Sequence, residues 1–180
     1  MLNWLSNLFG KKKEEKEAPN VNLTVHDIKP RYILDYDMDS WEVIASYTYS
    51  YAGYSAKEYK IRSGSQTKFL NVSDANSLLL SVSEEVNINN VDARLRNSVA
   101  QDQPLTKVTW QGVEYMLKEQ SQGKFTEDVV QDWAQFKGWE YVTADNSHFI
   151  YVSKWEDNSI ESYAGEYVKE FAISNIIQGK

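Results

Sequence analysis

From Arg31 onward, apolar and polar positions alternate with period two, the spacing of strands that bury one face. Trp41, Val43, Ala45, Tyr47, Tyr49 and Tyr51 fall on one side of a long strand, with Glu42, Ser46, Thr48 and Ser50 on the other. Ala52-Gly53 predicts a turn, residues 59–61 a returning strand, Ser63-Gly64-Ser65 a second turn, and residues 67–72 the strand after it. Residues 78–82 and 86–91 continue the meander. Val91, Leu95 and Val99 then recur at helical spacing, which predicts one short helix over 92–100, capped by Asp92 and finished before Pro104.

After Pro104 the strand pattern resumes and repeats itself. Residues 57–73 lie without gaps over residues 137–153, with Lys57 on Lys137, Phe69 on Phe149, Val72 on Val152 and Ser73 on Ser153. A second block sets residues 85–91 over 170–176. Two blocks in the same order predict an internal duplication. The expected fold is mainly β: two related antiparallel meander units, small barrel or sandwich-like, spanning residues 23–100 and 101–180. They are expected to pack together around one core made by their stacked inner faces, with the short helix between them.

The N-terminus differs in kind. On a helix turning about 100° per residue, Met1, Leu2, Trp4, Leu5, Leu8 and Phe9 share one arc, and Asn3, Ser6, Asn7 and Gly10 fill the other. The stretch is too short to span a bilayer, which takes about 20 apolar residues. Its lysines follow the apolar run, the reverse of a secretory signal. It predicts an amphipathic N-terminal helix over residues 1–9 that lies on an anionic membrane surface, with Lys11, Lys12 and Lys13 facing the headgroups. A groove on a membrane-associated protein, the chain's own body, or no role at all are the other readings of the same pattern. Residues 10–22, charged and broken by Pro19, read as a linker.

Charge and composition narrow the function. The 180 residues hold 19 basic and 26 acidic side chains. The first 20 contribute Lys11, Lys12, Lys13 and Lys16 against Glu14, Glu15 and Glu17, so the rest carries a net −8. A body of that sign repels phosphate backbones, and nucleic acid is not an expected partner. There is no cysteine and only His26 and His148, which leaves no disulfide framework, thiol nucleophile, Cys-ligated metal or three-histidine site. No cofactor is implied.

Catalytic patterns are weak. Ser65/Lys68 and Ser121/Lys124 have Ser-x-x-Lys spacing but fall in expected turns and strands, where that chemistry lacks its helical support. His148 reads as an exposed strand position, and Asp27 beside His26 as a turn cap. Two features could bind something. The Trp41, Tyr47, Tyr49 and Tyr51 stripe, extended by Trp139 and Tyr141, reads first as core and second as a stacking surface. If Tyr49, Tyr51 and Tyr54 are accessible, Asp37 and Asp39 nearby would favour a polyamine or another cation over a sugar.

The runs Leu23-Thr-Val-His-Asp-Ile, Ile33-Leu-Asp-Tyr-Asp, Ser40-Trp-Glu-Val, Lys57-Glu-Tyr-Lys-Ile and Phe69-Leu-Asn-Val resemble the bacterial domain of unknown function numbered 4178. The similarity covers residues 23–100 directly and 105–176 through the repeat. It implies a bacterial protein with no catalytic signature, working at a membrane or in a stress response. The expectation is a non-enzymatic, cytoplasmic protein, peripheral on the inner membrane, acting as an adaptor or interaction module. The competing class is a small-ligand binder using an aromatic and acidic cleft, and a hydrolase with an unrecognised site is a distant third.

Overall fold

The computed structural model describes residues 22–130 and 132–179. Strands β1 (Ile33–Tyr36), β2 (Asp39–Ser50), β3 (Ser55–Ser63), β4 (Gln66–Ser73) and β5 (Leu79–Glu85) come first. Two short helices, α1 (Ile88–Val91) and α2 (Leu95–Ala100), lead to β6 (Lys107–Trp110) and β7 (Val113–Glu127). The chain ends with β8 (Ala134–Val142), β9 (His148–Trp155), β10 (Ile160–Val168) and β11 (Ser174–Ile177).

All pairings are antiparallel. β2 to β5 form one meander and β7 to β10 another, and two seams join them: β5 pairs with β10, and residues 47–50 of β2 pair with residues 124–127 of β7. The result is a closed ring of eight strands, with β1 and β11 added beside the other half of β2 and β6 added beside β7. The expected stacking of two separate units is therefore replaced by joining along both edges, which leaves no open edge within the ring.

A bulge explains where the aromatic stripe goes. Val43 pairs with Ile61 but Ala45 pairs with Lys60, so Ile44 is an extra residue in β2. One inserted residue moves every later side chain to the opposite face. Trp41 and Val43 face outward into an apolar cluster with Tyr59, Ile61, Leu70, Val72, Leu80 and Val82, whereas Tyr49 lies in a different cluster with Phe136. The single stripe expected from alternation is thus split between two faces.

The two larger apolar cores lie outside the ring, and a smaller aromatic cluster of Tyr49, Ala56 and Phe136 lies within it. Val25 of the 3-10 turn Val25–Asp27, Ile28 just after it, Leu34 of β1, and Ile173 and Ile176 cover the outer face of β2 to β5. Ile88, Val91, Leu95 and Val99 of the two helices cover Trp139, Tyr141, Ile150, Val152 and Ala164 on the outer face of β7 to β10. Each cover buries the alternate positions of four strands, a few kcal/mol of hydrophobic stabilisation per large side chain. Residues 88–91 form a helical turn where a strand was expected, since the Asn87 side chain accepts the Asn89 N–H at 3.0 Å and caps it. Asp92 does not cap α2 as expected: the N-cap is Arg94, and Asp92 Oδ1 accepts the Arg94 backbone N–H at 2.9 Å.

The two repeated blocks fare differently. Residues 57–73 and 137–153 both form hairpins, β3–β4 and β8–β9. Their registers differ by two residues, with Tyr59 opposite Leu70 but Trp139 opposite Val152. Residues 85–91 run from the end of β5 into α1, whereas 170–176 form a 3-10 turn and part of β11, so the second block joins unlike elements.

Candidate functional site

With the apolar positions of the strands turned outward, the alternate set turns inward, and it is polar and aromatic. β3 contributes Glu58 and Lys60, β4 Phe69 and Asn71, β5 Ser81 and Ser83, β8 Glu140, β9 Phe149 and Tyr151, and β10 Glu161, Tyr163 and Tyr167. Close packing of these rings requires glycine beside them. A Cβ on Gly138 would come within 1.9 Å of the Tyr151 hydroxyl, and one on Gly165 would sit 2.8 Å from the Phe149 ring.

The lumen contains three adjoining cavities. A mouth of about 490 Å³ is lined by Tyr47, Tyr49, Phe69, Phe125, Trp155 and Tyr163 together with Glu58, Glu85, Glu156, Asp157, Glu161 and Lys60. It shares Tyr49, Glu58 and Tyr163 with a waist of about 130 Å³. The waist shares Tyr51, Asn71, Leu79, Glu140, Tyr151 and Tyr167 with a far chamber of about 160 Å³. A further hollow of about 610 Å³ shares Trp155 and Glu156 with the mouth and includes Lys124, Lys137 and Lys154. Two of those cations are already held by Asp102, at 2.7 and 3.1 Å.

Glu58 is the chemical centre of the mouth. Burial pushes its carboxyl up to about 7, with the Glu161 charge adding to the effect, while hydrogen bonds from Tyr49 and Asn71 favour the ionised form. The Tyr49 hydroxyl donates to Glu58 Oε1 at 3.2 Å. At the far end the Tyr167 hydroxyl donates to Glu140, and Lys118 Nζ lies 3.5 Å from the same carboxylate and 5.3 Å from the Tyr167 ring centroid. Between the two acids, the Tyr151 hydroxyl lies 3.2 Å from Ser121 Oγ, and burial pushes it up to about 12. Carboxylates among aromatic faces, with few cations to neutralise them, make a lumen that favours positive charge.

The structure brings Tyr49, Tyr51 and Tyr54 together. Tyr51 stacks on Tyr54 at 4.7 Å and on Tyr49 at 6.3 Å between centroids. Tyr49 is deep, Tyr51 half-buried and Tyr54 at the rim with 37% exposure. Asp37 and Asp39 do not join them: they stand exposed at the β1–β2 turn, the opposite end of a strand rising about 3.3 Å per residue. Trp139 and Tyr141 point away from the lumen, beneath α1 and α2. The acids that do meet the tyrosines are Glu58, Glu140 and Glu161, which alternation alone does not distinguish from solvent-facing residues. The only signal was that the face opposite the apolar one is itself rich in Tyr, Phe and Ser. Met1, Leu2, Trp4, Leu5, Leu8, Phe9, Lys11, Lys12 and Lys13 lie outside the described residues.

The weaker candidates fall into ordinary roles. Asp27 Oδ2 accepts the backbone N–H and the hydroxyl of Thr24, both at 2.8 Å, and His26 instead lies 3.4 Å from Asp74. His148 is exposed, with Nδ1 2.8 Å from the Ser147 hydroxyl. Ser65 sits at the β3–β4 turn, and Ser121 and Lys124 occupy opposite faces of β7. Among the described residues no group of three or more His, Cys, Asp or Glu could hold a metal ion, and no helix is long and apolar enough to cross a membrane.

Fold and site together define a closed antiparallel barrel with outward-facing apolar cores and a ligand-sized aromatic and acidic lumen. The chain belongs to the family described as Domain of unknown function (DUF4178), which matches residues 29–170 and therefore takes in the whole ring. A protein of Aquifex aeolicus (strain VF5), itself described as an uncharacterized protein, is 25% identical over 174 residues, 96% of each chain. No solved structure matches. These similarities indicate no enzymatic family.

Proposed function

We propose that the protein is a non-enzymatic binder that takes a small organic cation, an amine, into the mouth of its barrel. The observation that carries this reading is Glu58: an acid facing an aromatic cavity of about 490 Å³, with the Tyr49 hydroxyl bonded to it and four further acidic residues against one lysine lining the same cavity. An ammonium ion entering there exchanges its hydration for a carboxylate and ring faces, each ring contributing about 0.5–2 kcal/mol. A neutral sugar would gain stacking and hydroxyl hydrogen bonds but would not offset the negative charge of the acids. Calorimetric titration of the full chain with n-butylammonium tests the reading. Saturable binding is expected, at least tenfold weaker in Glu58→Gln, with no heat from glucose. Binding of glucose but not of the amine would reject it.

A second reading, about where the barrel works, rests on the segregation of Met1, Leu2, Trp4, Leu5, Leu8 and Phe9 ahead of three lysines. We propose that this segment holds the barrel at an anionic membrane surface or a protein there, on the cytoplasmic side in a bacterium, so that ligand binding is read out beside the inner membrane in an adaptor or stress-associated role. The two meanders are further read as copies of one ancestral β unit, a reading supported by the identities at Lys57/Lys137 and Phe69/Phe149 and by both blocks forming hairpins.

A further inference from the structure

Resting on the reading of the mouth as an amine site, we infer that the ligand is linear and carries an amine at each end: a straight-chain diamine or longer polyamine that lies through the waist, with one ammonium at Glu58 and the other at Glu140. The mouth alone would suit a compact cation as well. What selects a chain is the shape and charge beyond it. Beyond the mouth of about 490 Å³ lie two much smaller adjoining cavities, of about 130 and about 160 Å³. Both Glu58 and Glu140 border the waist, and no lysine or arginine does. Its walls are the rings of Tyr49, Tyr51, Phe149, Tyr151, Tyr163 and Tyr167, flat apolar surfaces suited to methylene groups.

The far carboxylate is occupied in a way that a ligand can undo. Lys118 is 45% exposed and sits 3.5 Å from Glu140, in effect a tethered ammonium on a flexible stem. An incoming ammonium can take its place against Glu140 and the Tyr167 ring while Lys118 swings into water. Glu58 and Glu140 thus present the same chemistry at the two ends of the waist, an acid backed by a tyrosine, and the waist, at about 130 Å³, is small for a bulky head group.

Calorimetric titration of the full chain at pH 8 with n-alkylamines and α,ω-diaminoalkanes of four to eight carbons separates this inference from the reading beneath it. One diamine length should bind at least tenfold more tightly than the monoamine of equal length. Glu140→Gln should bring that diamine down to the monoamine level, costing the diamine at least tenfold more than it costs the monoamine. Lys118→Ala, which removes the competitor, should tighten the diamine alone, a gain that misfolding cannot produce. Monoamines binding as tightly as every diamine, with Glu140→Gln and Lys118→Ala both without effect, would overturn the threaded ligand and leave the mouth reading standing. No binding of any amine would overturn both.

Discussion

A glutamate inside a ring of tyrosines has a cost that depends on pH. Unfolded, a glutamyl side chain gives up its proton near pH 4.5; in the barrel, burial holds Glu58 up to about 7. The folded state therefore keeps an extra proton between those values, so stability falls as pH rises from about 4.5 and the benefit is gone above about 7. The shift corresponds to roughly 3 kcal/mol. Glu58→Gln fills the same space without a charge to desolvate, so the variant should gain about that much over the wild type at pH 8 and little at pH 4.5. Urea unfolding at the two pH values measures this, and an equal difference at both would show that Glu58 is not the titrating group. Ligand binding runs the other way, because an ammonium needs the ionised carboxylate. Affinity for n-butylammonium should rise about tenfold per pH unit up to about 7 and then level off, with proton release seen calorimetrically below that point.

At the scale of elements, one inserted residue decides which face of a strand is inside, and one missing side chain decides how closely the lumen's rings pack. Ile44 turns Tyr47 and Tyr49 inward after Trp41 and Val43 have faced outward. Deleting Ile44 would put Trp41 and Val43 into the lumen, and the chain is expected to lose cooperative unfolding, which calorimetry would detect. Gly138 acts by absence: an alanine there meets the Tyr151 hydroxyl at 1.9 Å. Gly138→Ala should destabilise by about 1–3 kcal/mol. In a Tyr151→Ala background the same change should cost markedly less, and equal costs in both backgrounds would place the strain elsewhere. These two features mark the limit of what was legible beforehand. Strand positions, turns and the short helical stretch follow from local patterns such as Ser63-Gly64-Ser65 and the Leu95/Val99 spacing. A bulge leaves no mark in a run like residues 41–51, where apolar and polar residues alternate straight through it. Closure of the ring depends on β2 meeting β7 some 75 residues later in the chain, which periodicity does not report. The site was half legible for the same reason: Tyr49, Tyr51 and Tyr54 are local to one hairpin, while Glu140 and Glu161 reach them only through the closed ring.

For the whole molecule, the arrangement of cores outside and polar groups inside separates stability from binding. The covers over β2 to β5 and over β7 to β10 supply the apolar burial, so the lumen can hold acids and water-accessible space that a packed core would exclude. Net charge adds a second separation, between body and N-terminus. At −8 without its first 20 residues, the barrel is repelled by anionic lipid, so any adsorption must come from residues 1–13 acting against the body's own field. Removing residues 1–13 should therefore abolish sedimentation with vesicles of phosphatidylglycerol and phosphatidylethanolamine, and a segment that serves only as an anchor should leave the melting temperature within a degree or so when it is removed. Trp4→Glu should act almost as strongly, by placing a charge in the apolar arc. Changing Lys11, Lys12 and Lys13 to Gln should weaken binding by about 1 kcal/mol per lysine and flatten its salt dependence, since that contribution is a screened surface potential. Equal sedimentation of the full and shortened chains would remove the membrane from the proposal. A large fall in melting temperature on truncation would instead place Met1 to Phe9 against the barrel itself.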